Sequence, residues 1–366
     1  MSTIKTNAIL DASGGNTATI NGSTPTVYNT MGKNRIINGA MEIDQRNAGA
    51  SVSTGNSNTY ITDRFNIRTA TGSGSTGQQS STAPAGYYKS LVTTIGTGAS
   101  PSASDLNWIY QGIEGLNVAD LNWGTSDAKA ITVSFWVRSS VTGTYAVSVV
   151  NSSVNRSYVA TYSVTSANTW EQKSVTIPGD TSGTWLTTNG LGIYLFFDLG
   201  CGSDRQGTAD TWLGSWAIGT SSSVKLVQTS GATLYITGVQ LEVGSVATEF
   251  ERRPYGTELM LCQRYFQTYT ATNQEWIYNE DNSYAGKWWQ VYIPTPMRAS
   301  PSVSFEGTWT GGGVVGLSGT ISSLAGAASL TRFTCRVTMS VSSGTAWNLH
   351  HTDFWNTKRA FFSAEL

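Results

Sequence analysis

Histidine-based catalysis has one possible location in this sequence. The chain contains two histidines, His350 and His351, so a Ser-His-Asp arrangement could form only there. No GxSxG elbow accompanies them, and no GxGxxG or Walker motif occurs in the chain. Adjacent side chains on a strand point to opposite faces, so the two imidazoles could not serve one site together. We therefore interpret both as loop or rim residues of a binding surface.

Paired carboxylates are the remaining enzymatic option, because a glycosidase needs an acid and a nucleophile or base across the bond it cleaves. Three pairs are close in sequence: Glu249 with Glu251, Asp204 with Asp210, and Glu280 with Asp281. The first pair lies beside Arg252 and Arg253, which favours an ion-pair role at a domain junction. We expect no enzymatic activity and assign no catalytic residue.

Aromatic side chains are the strongest functional signal in the last third of the chain. Trp288 and Trp289 are adjacent, so on a strand they must point to opposite faces. An exposed ring can cover the apolar face of a sugar or pack in a protein interface, while polar neighbours bind hydroxyl groups. About half to two-thirds of the rings in this region should simply form core. The candidate residues of such a binding surface are Trp276, Tyr284, Trp288, His350, His351 and Trp355.

The composition predicts an all-β scaffold for these side chains. Charged residues make up 12% of the chain, aromatics 11%, and 39 of 366 residues are glycine, a mixture that suits strands and tight turns. The net charge of −1 gives no basic face for nucleic acid. The start of the chain lacks the apolar run of a signal peptide, and residues 191–197 are too short to span a bilayer. We expect no nucleic-acid partner, no membrane insertion and synthesis in a cytoplasm without Sec-type export.

Three segments differ in composition. Residues 1–35 read as short strands and a polar linker that cannot bury a core alone, and a flexible tail is the alternative. Residues 36–257 contain short strands between Gly- or Asn-rich turns, typical of a sandwich, with long loops expected at 70–85 and 200–207. Residues 258–366 form a smaller β unit, with strands expected at 302–305, 331–339 and 360–366.

The stretch from Thr233 to Phe266 reads TLYITGVQLEVGSVATEFERRPYGTELMLCQRYF. Its apolar positions alternate as in a strand, and Gly238 allows a bulge where the alternation slips. Residues 252–256 then read as a turn, and Thr257 could cap a short helix with Leu259, Cys262 and Phe266 on one face. This stretch resembles the end of a jelly-roll domain in bacteriophage tail-fibre and related virion receptor-binding proteins.

Further segments support the resemblance: ITVSFWVR at 131–138, NTWE at 168–171, VTIPGDTSGTW at 175–185, and Asn38-Gly39. Together they cover about residues 36–260. The opening at residues 2–15, STIKTNAILDASGG, is similar to the start of many phage fibre and appendage proteins. The resemblance implies a virion-attachment segment at 1–35, a carbohydrate-binding-module-like jelly roll at 36–257, and a helix with a C-terminal β tip at 258–366.

The resemblance also implies a function: recognition of a host cell-surface glycan or outer-envelope receptor by a homotrimer, with residues 1–35 contacting other virion proteins. One alternative is a decoration, appendage or adaptor protein that binds other phage proteins. The other is a glycan-depolymerising tailspike, although such enzymes usually present a longer, repeat-rich β-helix that this chain lacks.

We expect no metal and no cofactor. Cys201, Cys262 and Cys335 have neither the spacing of a zinc site nor the even number of a disulfide framework, which favours free, buried thiols. Residues 38–42 resemble the first-strand part of the calcium site in carbohydrate-binding jelly rolls. The acidic residue expected before the last apolar run is replaced by Thr237-Gly238, which weakens a hard-cation site. Residues 279–282 read as a solvated turn.

Overall fold

The computed structural model describes residues 32–270, 287–292, 294–305, 310–311, 319–328, 332–339 and 359–366. The chain divides into two compact units, residues 1–253 and 254–366. The N-terminal segment at 1–31 lies outside the described residues.

The first unit is a sandwich of two antiparallel sheets. Its strands are β1 (Val52–Ser53), β2 (Thr59–Thr62), β3 (Phe65–Thr69), β4 (Thr76–Ser80), β5 (Ser90–Thr94), β6 (Asn107–Glu114), β7 (Ile131–Ser139), β8 (Gly143–Asn151), β9 (Ser157–Val164), β10 (Glu171–Ile177), β11 (Leu191–Asp198), β12 (Trp212–Leu213) and β13 (Thr233–Val243). The front sheet has the order β1-β4-β5-β13-β7-β10, and the back sheet has the order β12-β9-β8-β11-β6-β3-β2. Short 3-10 turns lie at Gly115–Asn117, Ala119–Leu121, Ser203–Arg205 and Leu226–Gln228. The predicted all-β jelly-roll class is confirmed.

The alternation of β7 explains how the front sheet packs. Its apolar positions enter the core between the sheets and are almost fully buried: Ile131, Val133, Phe135 and Val137. The intervening positions lie on the other face because side chains alternate along a strand. Trp136 and Arg138 therefore share the outer face with two small polar residues, Thr132 and Ser134.

The bulge predicted at Gly238 is confirmed. The pairing of β13 with β7 shifts register between Thr237 and Gln240, and Gly238 has a φ of 61°. A Cβ atom on Gly238 would lie 2.7 Å from the Tyr87 hydroxyl oxygen, so a side chain there has no room. Glycine is thus required both for the backbone conformation and for the approach of Tyr87.

The long loop predicted at 70–85 is wrong, because β4 lies inside it and pairs with β1 and β5. Gly77 faces inward there, and a Cβ atom on it would lie 2.6 Å from the Ile61 side chain. A Ser/Thr/Gly-rich run can form such a strand where the core leaves no space for a side chain.

Residues 32–36 are bound to β13 and to the segment that follows it. The Asn34 side chain donates to the Val239 carbonyl and accepts from the Leu241 amide. The Glu251 carboxylate accepts from the Asn34 amide, and it pairs with the Arg253 guanidinium at 3.5 Å. The ion-pair role predicted for this acidic and basic cluster is confirmed at Glu251.

The second unit contains helix α1 (Tyr255–Gln263) and two antiparallel sheets. Its strands are β14 (Phe266–Thr270), β15 (Lys287–Tyr292), β16 (Ser302–Phe305), β17 (Thr310–Gly311), β18 (Gly319–Ala328), β19 (Arg332–Met339) and β20 (Arg359–Ser363). The sheet orders are β14-β20-β16 and β15-β19-β18-β17. Among the described residues, no helix has the length and apolarity needed to cross a bilayer.

The predicted start of the helix is wrong. Helix α1 begins at Tyr255 and not after Thr257, so Tyr255 and Gly256 belong to the helix and not to a turn. The Pro254 carbonyl accepts hydrogen bonds from the amides of Thr257 and Glu258, which makes Pro254 the cap without a side-chain bond. Phe266 lies on β14, whereas Cys262 is the buried residue of the helix.

Candidate functional site

The predicted receptor surface falls almost wholly outside the described residues. Trp276, Tyr284, His350, His351 and Trp355 all lie in ranges that the structure does not describe. Trp288 lies on β15, opposite Arg336 of β19. The assignment of a receptor site to these six residues stays a prediction.

A different group of aromatic residues lies together on the outer face of the front sheet. We call this group the Trp136 face and define it as Trp136, Arg138, Trp170 and Tyr235. In the strand pairing, Arg138 is opposite Tyr235, and Trp136 is opposite Thr237 on one side and Gln172 on the other. Directly opposite residues share one face of a sheet, so the rings and Gln172 lie on a common surface.

The three rings of the Trp136 face are half-buried, and none belongs to the core clusters between or behind the sheets. The Trp170 and Tyr235 ring centroids are 6.1 Å apart with an interplanar angle of 70°. The outward neighbours on β10 are exposed and polar: Gln172, Ser174 and Thr176. The face therefore combines flat apolar area with amide and hydroxyl groups in contact with solvent.

Tyr87 lies next to Trp136. The Arg252 guanidinium lies 4.7 Å from the centroid of the Tyr87 ring. Burial raises the pKa of Tyr87 above its usual value, although the charge of Arg252 and the neighbouring Trp136 indole act in the opposite direction. Tyr88, the next residue in the chain, is 78% exposed.

Arg138 is held by a ring and a carbonyl group. Its guanidinium carbon lies 4.9 Å from the centroid of the Tyr235 ring, and its Nε donates to the Asn168 carbonyl at 2.9 Å. Within the described ranges, its two terminal nitrogens make no hydrogen bond and no ion pair. A cation that rests on a ring in this way is stabilised by the negative face of the ring.

The carboxylate of Glu171, the residue after Trp170, already accepts hydrogen bonds from protein groups. Glu171, opposite Val137, accepts bonds from Thr165, Ser166 and Lys173. Burial acts to raise the pKa of Glu171, but these hydrogen bonds outweigh it and lower the pKa to about 2. The anion is thus satisfied locally at neutral pH.

A second aromatic group, on the outer face of the back sheet, is covered by a later segment of the chain. Trp108, Tyr110 and Phe196 form an aromatic cluster, over which Cys201 and Ile218 of the segment 199–220 pack. Burial raises the pKa of the Cys201 thiol, with the nearby Asp198 carboxyl acting in the same direction. Cys201 and Cys262 are free and buried, as predicted. These rings are core and present no open surface.

The carboxylate pairs are not assembled into a site that the structure describes. Asp204 and Asp210 are exposed, Glu249 is exposed, and Glu280 and Asp281 lie outside the described residues. Among the residues that the structure describes, no group of three His, Cys, Asp or Glu side chains could hold a metal ion.

Thr237 stands at the position where the resemblance led us to look for a carboxylate ligand of calcium. Its hydroxyl lies 2.8 Å from the Lys89 carbonyl oxygen and 3.3 Å from that of Ala40, and it donates there. The Gln79 amide donates to the carbonyls of Met41 and Glu42. Protein donors therefore already meet these carbonyl groups, which is the role that a cation would otherwise have.

Sequence reasoning missed the Trp136 face, although one signal for it was present. The segment ITVSFWVR places a tryptophan and an arginine in phase with Thr132 and Ser134, on the polar side of the strand. A large ring in phase with polar residues indicates exposure or an interface. The proximity of Tyr235 and Trp170, by contrast, follows only from the strand pairing.

No protein-family model matches the sequence, and the search of curated proteins finds no match. Several solved structures are distantly similar. The enzymatically active domain of tailspike protein 4 of bacteriophage CBA120 is 11% identical, with 58% of this chain and 21% of that chain covered and a TM-score of 0.28. A proposed sugar-binding protein from Bacteroides thetaiotaomicron is 13% identical, with 58% and 100% covered and a TM-score of 0.34.

A third similar structure is the C-terminal family 22 carbohydrate-binding module of Clostridium thermocellum Xyn10B. It is 15% identical, with 50% of this chain and 89% of that chain covered and a TM-score of 0.28. At these identities and scores, none of the three likenesses carries an argument about what this chain binds. The match spans about a fifth of the tailspike chain.

Proposed function

We propose that this chain is a non-enzymatic phage virion protein, a tail fibre or appendage, that binds a glycan on the host cell surface as a homotrimer. The observation that carries the glycan-binding part is the Trp136 face, where three half-buried rings lie beside exposed polar side chains. The assignment to a virion rests on the sequence resemblance. The Trp136 face is proposed as one contact surface, in addition to the surface predicted within residues 258–366.

The exposure of the rings supports saccharide binding. The rings contribute little to the core, since the inward positions of β7 are filled by Ile131, Val133, Phe135 and Val137. A half-buried ring of fixed orientation loses little conformational freedom on binding and covers the C–H face of a sugar. Gln172 and Ser174 can exchange hydrogen bonds with hydroxyl groups at the edge of such a sugar.

The test is adsorption of the purified full chain to host cells together with glycan-array binding. We expect Trp136→Ala to reduce binding about five- to 150-fold, if a sugar stacked on the ring contributes roughly the 1–3 kcal/mol of a stacked nucleobase. The matched control is Tyr255→Ala, which removes a 60% exposed ring from helix α1, outside this face. Binding by Trp136→Ala at the level of the control would remove the Trp136 face from the proposal.

The assembly part of the proposal has a separate measurement. Light scattering should give three times the chain mass of 39.1 kDa. A full chain that ignores cells and saccharides but binds purified virions would instead favour the building-block function. Release of reducing ends from a bound glycan would favour the depolymerising spike.

A further inference from the structure

We propose that the Trp136 face selects a saccharide that carries an anionic group, a carboxylate or a phosphate, and that Arg138 binds this group. This inference rests on the proposed glycan-binding function and adds the charge class of the ligand. It is drawn from the arrangement of one arginine, its ring neighbours and the charges around it.

The first step is that Arg138 has open donors. Three other arginines of the sandwich pair with carboxylates: Arg35 with Asp120 at 2.8 Å, Arg156 with Asp180, and Arg253 with Glu251. Among the described residues, only the Nε of Arg138 makes a hydrogen bond, which it donates to the Asn168 carbonyl. Its terminal nitrogens have no partner among the described residues, so a bound anion would not need to displace a protein group.

The second step concerns orientation. The Tyr235 ring beneath the guanidinium and the Nε bond to Asn168 together restrict the rotation of the side chain. A planar guanidinium fixed at Nε presents its remaining N–H groups as a fork, which matches the two oxygens of a carboxylate or phosphate. Little side-chain entropy would then be lost when an anion binds.

The third step is the charge of the surrounding surface. At the outward positions of β7 and β10, Arg138 is the only charged residue, and the others are Thr132, Ser134, Trp136, Gln172, Ser174 and Thr176. Glu171 lies nearby but already accepts from Lys173 and from two residues of the preceding turn. Glu242 of β13, opposite Thr132, is buried and already accepts from Gln240 and Thr248. Arg138 therefore has no carboxylate partner among the described residues, in a chain whose net charge is −1.

The fourth step is spacing. Trp136 and Arg138 are two residues apart on one strand, so their Cα atoms are roughly 6.8 Å apart. A sugar ring that stacks on Trp136 would thus place an exocyclic anionic group next to Arg138. Tyr235, in contact with the guanidinium, and Trp170, in contact with Tyr235, add further apolar area.

The experiment measures the affinity of the full chain for three oligosaccharides of equal length. One contains glucuronate, the second has each carboxyl reduced to a neutral hydroxymethyl group, and the third is the neutral chain with a phosphate monoester. We expect the wild type to bind at least one anionic ligand about tenfold or more tightly than the neutral one. The stronger of the two anionic arms identifies the group as carboxylate or phosphate.

Arg138→Gln should bind all three ligands with the affinity of the neutral one, and Arg138→Lys should recover only part of the preference because it lacks the fork. The matched control is Arg68→Gln, since Arg68 is also half-buried and lies over a ring, that of Trp108, on the back sheet. The control should keep the full preference. In the wild type, added salt should weaken binding of the anionic ligand only.

The outcomes separate this inference from the proposed function. Equal affinity of the wild type for neutral and anionic ligands overturns the charge selection and leaves glycan binding intact. An anionic preference that survives in Arg138→Gln overturns the role of Arg138. Equally tight binding of a polyglutamate peptide overturns the assignment to a saccharide. Binding of none of the saccharides overturns the proposed function itself.

Discussion

At the residue scale, the contacts of each arginine decide whether its charge stabilises the fold or is available to a ligand. Arg138 and Arg156 both lie near rings on strands or turns of the sandwich, but their environments differ. Arg156 is bound to Asp180 through two nitrogens, and this bond raises the pKa of Arg156 above its usual value. Arg138 keeps its terminal nitrogens free of partners among the described residues. The same side-chain type is therefore structural in one place and a candidate for binding in the other.

Asp180→Asn should destabilise the sandwich by about 3–5 kcal/mol, because it leaves a partly buried guanidinium without its counter-charge. The Asp180 side chain is 1% exposed and also accepts from the Trp185 indole at 3.1 Å. Urea unfolding gives the free energy, with the exposed Asp204→Asn as the control that should change it by less than about 0.5 kcal/mol. Equal stability of the two variants would show that the pair does not stabilise the fold.

At the scale of elements, strand β13 connects the core to the proposed binding face. Its bulge lets the strand keep apolar residues inward on both sides of Gly238, namely Ile236 before it and Val239 and Leu241 after it. The space above Gly238 is filled by Tyr87, which lies next to Trp136. We therefore expect a side chain at Gly238 to displace the Tyr87 ring and, through it, to disturb the Trp136 face.

Gly238→Ala tests this connection. Both Gly238 and Gly231 have positive φ, 61° and 72°, but a Cβ atom at Gly231 meets nothing within 4 Å. Each alanine should lose roughly 1–2 kcal/mol from the left-handed backbone. Only Gly238→Ala should also displace Tyr87 and weaken saccharide binding several-fold.

A double variant of Gly238→Ala with Tyr87→Ala separates the clash from the backbone strain. If the clash matters, the two stability losses should fall short of additivity by about 0.5 kcal/mol or more. Full additivity, with saccharide affinity equal in Gly231→Ala and Gly238→Ala, would contradict a connection through Tyr87.

At the scale of the whole molecule, the interior between the sheets contains polar groups that must stay neutral. Tyr145 is fully buried, and its hydroxyl bonds to the Val141 carbonyl and to Ser139. Burial raises the pKa of Tyr145 to about 12, although the bond to Ser139 acts to lower it. Burial also raises the pKa of Tyr162, whose ring stacks on Tyr145 at 5.8 Å.

This arrangement predicts a loss of stability at alkaline pH. An unfolded tyrosine loses its proton near pH 10, whereas Tyr145 in the fold holds it to about pH 12. Between these values the unfolded chain binds fewer protons, so the free energy of unfolding falls as pH rises. The stabilisation that protonated Tyr145 adds to the free energy of unfolding is complete below pH 10 and is lost as the pH rises towards 12.

The measurement is the unfolding midpoint between pH 8 and pH 12. Tyr145→Phe should be less stable at pH 8, because it loses hydrogen bonds at a cost of about 1–2 kcal/mol. Its midpoint should also fall less steeply with pH than that of the wild type. An identical slope in the two proteins would show that Tyr145 does not titrate with unfolding.

The sequence by itself determined the class of fold and several local features. Alternation after Thr233 predicted the strand β13, and a glycine at a break in that alternation predicted its bulge. Adjacent opposite charges predicted an ion-pair role, which the pair of Glu251 with Arg253 confirms. These features depend on neighbours in the chain. The predicted loop at 70–85 and the start of helix α1 were wrong because an inward glycine and a proline cap depend on the surrounding packing.

Only the tertiary structure decided which aromatic residues share an exposed face. Trp136 and Arg138 are in phase along one strand, but Tyr235 and Trp170 reach them through the order and register of β13, β7 and β10. Register is fixed by burial of a whole face and not by any single segment, so a short strand does not encode its partner. Likewise, the covering of the back sheet by the segment 199–220 separates core rings from surface rings, a distinction that ring type and local sequence do not contain.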